Sequence, residues 1–118
     1  MQLSDLHLRS IGRLEQAVVR EVAQLKPDLV IANGENAAGG FGLTRAVAEE
    51  FFALGVDVIT TGNHWADQKE ILTYIESEDR ILRPVNYPKG TPGKGANLYQ
   101  TPAGSVLVIN AMGRVFMD

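Results

Sequence analysis

Apolar positions along the chain switch between two spacings. Leu14, Val18, Val22 and Leu25 recur at helical intervals, with Glu15, Arg20 and Glu21 on the other face, which predicts a helix. It should end near Lys26, because Pro27 disfavours the helical conformation in the residue before it. The short runs Leu29 to Ala32 and Val56 to Thr61 read as strands, and Met1 to Ser4 as the stub of another. Between them Thr44 is placed to N-cap a helix from Arg45 to about Leu54 that buries Val47, Phe51 and Leu54 and stops at Gly55. Asp67 is expected to cap a third helix from Gln68 to Ser77, with Ile71, Leu72 and Ile75 facing inward.

After residue 80 the pattern changes. Ile81-Leu82-Arg83-Pro84 predicts a short parallel strand cut off by proline. Tyr87 to Gly95, with two prolines and three glycines, predicts a loop. Ala96 to Gln100 and Val106 to Ala111 predict a hairpin around Thr101 to Ser105. The order β-α-β-α-β-α-β plus a hairpin, without repeats or a low-complexity linker, predicts an α/β fold: a parallel sheet flanked by helices, with an antiparallel hairpin extension.

Two loops then stand out. Asn33-Gly34-Glu35-Asn36-Ala37-Ala38-Gly39-Gly40-Phe41-Gly42 follows the strand at Leu29 to Ala32, and Gly62-Asn63-His64-Trp65 follows the strand at Val56 to Thr61. Both place oxygen and nitrogen donors just past the carboxyl end of a strand, the edge at which open α/β sheets bind ligands. A right-handed crossover through one helix makes these strands parallel and neighbouring, so Glu35, Asn63 and His64 are expected close together. A carboxylate, amides and an imidazole aimed at one spot suit metal-assisted chemistry better than packing.

Composition narrows the partners. The 118 residues form one domain, with ordinary hydrophobic (45%) and charged (21%) content for a globular protein. A net charge of −3 gives no electrostatic footprint for duplex DNA or an anionic membrane. No apolar run is long enough to span a bilayer, and the first residues lack a signal-peptide pattern. Without cysteine there are no disulfides or thiolate metal sites, which fits a cytoplasmic location.

Asn33 to Thr44, Gly62-Asn63-His64, Arg83-Pro84-Val85-Asn86-Tyr87 and Gly113-Arg114-Val115-Phe116-Met117 together resemble the bacterial YmdB-type metallophosphoesterases, calcineurin-like enzymes of the 2′,3′-cyclic-nucleotide 2′-phosphodiesterase branch. The resemblance covers about residues 26 to 118. It implies half of a metallophosphoesterase-like α/β sandwich with a dinuclear centre of two divalent or mixed-valence ions, iron or manganese. It also implies Glu35 as the bridging carboxylate, Asn36 and Asn63 as ligands of the two metals, and His64 as proton donor. At the N-terminus Ser4-Asp5-Leu6-His7-Leu8 resembles instead the Asp-x-His motif of the wider superfamily, which makes Asp5 and His7 candidate ligands. The family draws three further histidines from a C-terminal half, and this sequence has none after His64. A fragment, a second polypeptide supplying those ligands, or loss of catalytic power would each account for that.

The chemistry explains these residue types. A bridging carboxylate holds two cations close enough to clamp one phosphoryl group, and such a pair activates water for in-line attack. Neutral amides fill coordination positions, and an imidazole can protonate a leaving alkoxide near neutral pH. Gly39 and Gly40 would offer backbone N–H groups to the phosphate of a small phosphodiester or nucleotide. Plainer roles compete: Asn33 and Asn36 as turn residues, Glu35 as a solvated acid, His64 as a structural histidine, Trp65 as packing or rim rather than a base-stacking platform, Arg114 in a surface ion pair rather than on phosphate, and Asp57 in a turn. Three functions follow: a metal-dependent phosphodiesterase, a non-catalytic half-domain that self-associates into a homo-oligomer, or a metal-free phosphate-binding module.

Overall fold

The computed structural model describes residues 2–3, 20–34 and 42–113. Among them β1 (Gln2–Leu3), β2 (Ile31–Asn33), β3 (Val58–Thr60) and β4 (Ile81–Leu82) form a parallel sheet in that spatial order. Helix α1 is described over 20–25, α2 spans Arg45–Ala53 and α3 spans Glu70–Ser77. A separate two-stranded antiparallel sheet, β5 (Ala96–Thr101) and β6 (Gly104–Ile109), follows.

Strand order equals chain order, so every right-handed crossover carries its helix to the same side. Strand alternation shows the result. Val30, Ala32, Ile59 and Ile81 point to one face, where they pack with Val47, Ala48 and Phe51 of α2, Ile71 and Ile75 of α3, and Val22 of α1. Leu29, Ile31, Val58 and Leu82 point to the other face and meet Val108 and Tyr99 of the hairpin. The layers are therefore helices, sheet and hairpin.

Local chemistry fixes the element ends. Lys26, before Pro27, has φ +48°, which ends α1 where the sequence predicts. Thr44 Oγ1 accepts from the Val47 N–H at 3.3 Å, capping α2, and Gly55 at φ +104° closes it. Leu54 lies at the C-cap of α2, half-buried rather than in its buried face. Asp57 does more than turn the chain: its Oδ2 accepts from the Val30 N–H at 2.8 Å, while its own N–H donates to the Val30 carbonyl at 2.8 Å, locking the entry of β3 to β2.

The hairpin base is tied to the carboxyl ends of the parallel strands. Asn110, at the end of β6, donates through Nδ2 to the carbonyls of Thr61 (2.7 Å) and Leu82 (3.0 Å). Its backbone carbonyl accepts from Val85 and its N–H donates to Gly95. Arg83 is 8% exposed and has no carboxylate partner in contact among the described residues. Its guanidinium donates instead to the carbonyls of Pro84, Thr91, Pro92 and Gly93, which gathers the loop after β4 around one side chain.

Cross-strand partners share a face, so Ala96 with Ile109 and Leu98 with Leu107 line the hairpin side turned away from the sheet. Leu98, Leu107 and Ile109 are 58–59% exposed there. Asn110→Ala should lower unfolding free energy by roughly 1–3 kcal/mol, because the part-buried Thr61 carbonyl loses its side-chain donor while the Leu82 carbonyl keeps only those of Thr61; urea denaturation checks this against Ser105→Ala, which is expected to move stability by less than about 0.5 kcal/mol.

Candidate functional site at the carboxyl edge of the sheet

Strands β2 and β3 are adjacent and parallel, with Asn33 opposite Thr60. The loops that leave them therefore start side by side, and the Gly34 N–H donates to the Thr60 carbonyl at 2.8 Å. The strand order does not reverse among the described strands, so the candidate site owes nothing to a switch in winding and rests on these neighbouring loops.

Residues 62–67 turn tightly. The Trp65 N–H donates to the Gly62 carbonyl and the Asp67 N–H to the His64 carbonyl, both at 3.1 Å. Trp65 is 3% exposed and joins the core, its ring meeting Tyr87 edge-on at 5.9 Å between centroids. Of its two expected roles the structure gives packing. The buried indole acts as a root for the turn and leaves its neighbours Asn63 and His64 outside, both exposed.

His64 Nδ1 lies 2.9 Å from Asp67 Oδ2. This corrects the expectation that Asp67 caps α3. The helix begins at Glu70, Lys69 occupies the N-cap, and no side chain caps it. Because 62–67 turns before the helix starts, the Asp67 carboxylate falls back onto the imidazole three residues earlier.

The returning stem of the glycine-rich loop also reaches this turn. Gly42 has φ +90°, and a β-carbon there would collide with the His64 carbonyl oxygen and touch the Asp67 side chain. Both stems of residues 35–41 are thus held against the strand and turn that carry Asn63 and His64. Glu35, Asn36, Gly39 and Gly40 themselves lie outside the described residues, as do Asp5, His7 and Arg114. Among the described residues no three His, Cys, Asp or Glu side chains converge as a metal cluster.

Two residues at this edge escaped the sequence reading. Asn110 binds the ends of β3 and β4, and Asn86 exchanges a pair of hydrogen bonds with the Met112 backbone (2.6 and 3.0 Å), anchoring the chain just before Gly113-Arg114. The available signal was the asparagine that interrupts the otherwise apolar strand expected over Val106 to Ala111. The shifted titrations lie elsewhere. Glu78, before β4, is lowered chiefly by its hydrogen bond from Arg80, and burial raises Tyr99. A small cavity of about 90 Å³ also sits there, lined by Ile75, Glu78, Asp79 and Lys94 among others, away from the donor-bearing loops.

A parallel sheet flanked by helices and extended by an antiparallel hairpin is the frame of a phosphoesterase-like fold. The chain belongs to the YmdB-like protein family, whose family model matches residues 10–118. It is 40% identical over 104 residues to the 2′,3′-cyclic-nucleotide 2′-phosphodiesterase of Bacillus subtilis (strain 168), covering 88% of this chain and 39% of that protein. A crystal structure of a hypothetical protein from Thermus thermophilus superposes with a TM-score of 0.80 at 42% identity, covering 98% of this chain and 44% of that one. A novel phosphatase from Mycoplasma pneumoniae shares the fold, with a TM-score of 0.82 at 23% identity over 95% of this chain and 41% of its own. The chain spans about two-fifths of the length of these relatives. Among the described residues no helix is long and apolar enough to cross a membrane.

Gly42→Ala should cost roughly 1–3 kcal/mol through the strained positive φ and the collision with His64. It should also displace the His64 ring resonances, which thermal unfolding and heteronuclear NMR would register together.

Proposed function

We propose that this domain carries part of the active site of a metal-dependent phosphodiesterase acting on nucleotide-like phosphodiesters. The observation that supports it is the position of the two ends of the glycine-rich segment: Gly34 is bonded to Thr60 at the end of β3, and a β-carbon at Gly42 would meet the carbonyl of His64 in the turn that follows β3. The name of the Bacillus relative, a 2′,3′-cyclic-nucleotide 2′-phosphodiesterase, agrees with this substrate class.

In this reading Glu35, Asn36 and Asn63 hold metal, with Asp5 and His7 as further ligands. The donor set is carboxylate, amide and imidazole, which suits iron or manganese. Two bound ions would supply an activated water and charge neutralisation at the phosphate. The side chains of this chain do the rest. Gly39 and Gly40 present N–H groups to phosphate oxygens, and exposed His64 gives its proton to the departing alkoxide oxygen as the P–O bond breaks. The products are an alcohol and a phosphomonoester. The family's three further histidines would come from polypeptide beyond the 118 residues or from a second chain.

Glu35→Gln should abolish manganese-dependent hydrolysis of bis-p-nitrophenyl phosphate and empty the site of metal. His64→Ala should retain metal and lower turnover, by up to the 10²–10⁴-fold typical of a positioned acid when the leaving group is poor. Metal analysis beside kinetics separates the roles: equal metal loss in both variants would make His64 a ligand. A wild-type chain that binds phosphate without metal and without turnover would favour the metal-free binding module.

A second reading concerns assembly. We propose that copies of the chain associate through the apolar hairpin face of Leu98, Leu107 and Ile109, since such a patch is seldom left in water. Sedimentation should find a dimer or larger species for the wild type at micromolar concentration, and a monomer for Leu107→Lys. A wild-type monomer would end this proposal.

A further inference from the structure

The turn that displays His64 contains a second functional group. Its Nδ1 lies 2.9 Å from Asp67 Oδ2, and the same two residues are joined through the backbone, the Asp67 N–H donating to the His64 carbonyl at 3.1 Å. The side chains are 48% and 40% exposed, so a bare ion pair here would contribute little to stability. Its value lies in geometry. A carboxylate accepting from Nδ1 holds the proton on that nitrogen, stops rotation about the Cβ–Cγ bond, and leaves Nε2 as the nitrogen that meets a ligand. An exposed histidine in water favours neither orientation strongly.

Three features make this arrangement rigid. Trp65, between the two residues in sequence, is buried in the core. A β-carbon at Gly42 would meet the His64 carbonyl oxygen and the Asp67 side chain, so the chain entering α2 passes close against the pair. Asp67 is also released from helix duty, because α3 starts at Glu70 without a side-chain cap.

We propose that Asp67 is the positioning residue for His64: it fixes the imidazole with Nδ1–H toward the carboxylate and Nε2 toward the reacting phosphodiester. The inference rests on the reading of His64 as proton donor. In the step so arranged, water attacks phosphorus, the bond from phosphorus to the leaving oxygen breaks, and that oxygen takes the proton from Nε2. The histidine is left neutral, with Nδ1–H still donated to Asp67. Loss of Asp67 leaves the acid in place but free to rotate, so turnover falls while substrate affinity holds.

The chain contains only two histidines, His7 and His64, so ring-nitrogen NMR on the labelled wild-type protein resolves the question directly, with His64→Gln assigning the signals. Two-bond nitrogen–proton correlations should show the neutral His64 ring protonated on Nδ1. Asp67→Ala should move it to the Nε2–H form common in water, and Asp67→Asn, which keeps an acceptor, should restore the Nδ1–H form. An Nε2–H ring in the wild type, unchanged in Asp67→Ala, overturns the proposal. Kinetics on a 2′,3′-cyclic nucleotide with manganese, whose alkoxide leaving group needs a proton, should show kcat lowered about tenfold or more in Asp67→Ala, part of the 10²–10⁴-fold a positioned acid supplies, at nearly constant KM and with partial rescue in Asp67→Asn. If His64→Ala turns over as the wild type does, the proton-donor reading fails. If His64→Ala is impaired and Asp67→Ala is not, this inference alone fails.

Discussion

The handedness of the parallel crossover governs this domain. Four strands laid down in chain order, each reached by a right-handed connection, must collect their helices on one face. The opposite face, carrying Leu29, Ile31, Val58 and Leu82, then needs a cover from later in the chain, and Val108 and Tyr99 provide it. Because the connections are crossovers, every strand points one way, so the loops after β2, β3 and β4 leave from one edge. Crossover connection sets the edge of the candidate site, and its handedness sets the side of the core.

That edge is held by polar groups that reach across elements. Asn110 bridges the ends of two strands, Gly34 is bonded to its neighbour strand, and Trp65 sinks the display turn into the helical core. The layers are thus coupled at the place where ligand chemistry is expected. Gly34 and Gly42, at the two ends of the glycine-rich segment, are both held at this edge, the first by the Thr60 carbonyl and the second beside the His64 carbonyl.

Elements with a strong period were legible in the sequence. The spacing of Val47 and Phe51, with threonine before and glycine after, is written in the residues of α2, and Pro84 marks the end of β4. The hairpin was legible too, although its strands meet closer to the turn, because Thr101 and Gly104 pair across Pro102-Ala103. Tertiary polar contacts were not. Asp67 before a helical run reads as a cap, since local sequence holds no record of a competing imidazole whose turn delays the helix. Asn110 reads as one more strand residue, because its acceptors lie 28 and 49 positions away. For the site, the adjacency of Asn33 and Thr60 followed from topology, whereas the ring-to-carboxylate contact depended on a turn only coordinates reveal.

The buried Arg83 has a bearing on how the domain tolerates change. Its guanidinium grips peptide oxygens of residues 84, 91, 92 and 93 and asks nothing of their side chains. A lysine, with a compact ammonium in place of a planar fork, has no means of spanning the same four acceptors. The tether therefore constrains one position tightly while releasing others: Thr91 and Pro92 contribute only backbone carbonyls to it. Surface character on that side of the molecule can be rewritten, in nature or by design, without loosening the strand ends from which the donor loops depart.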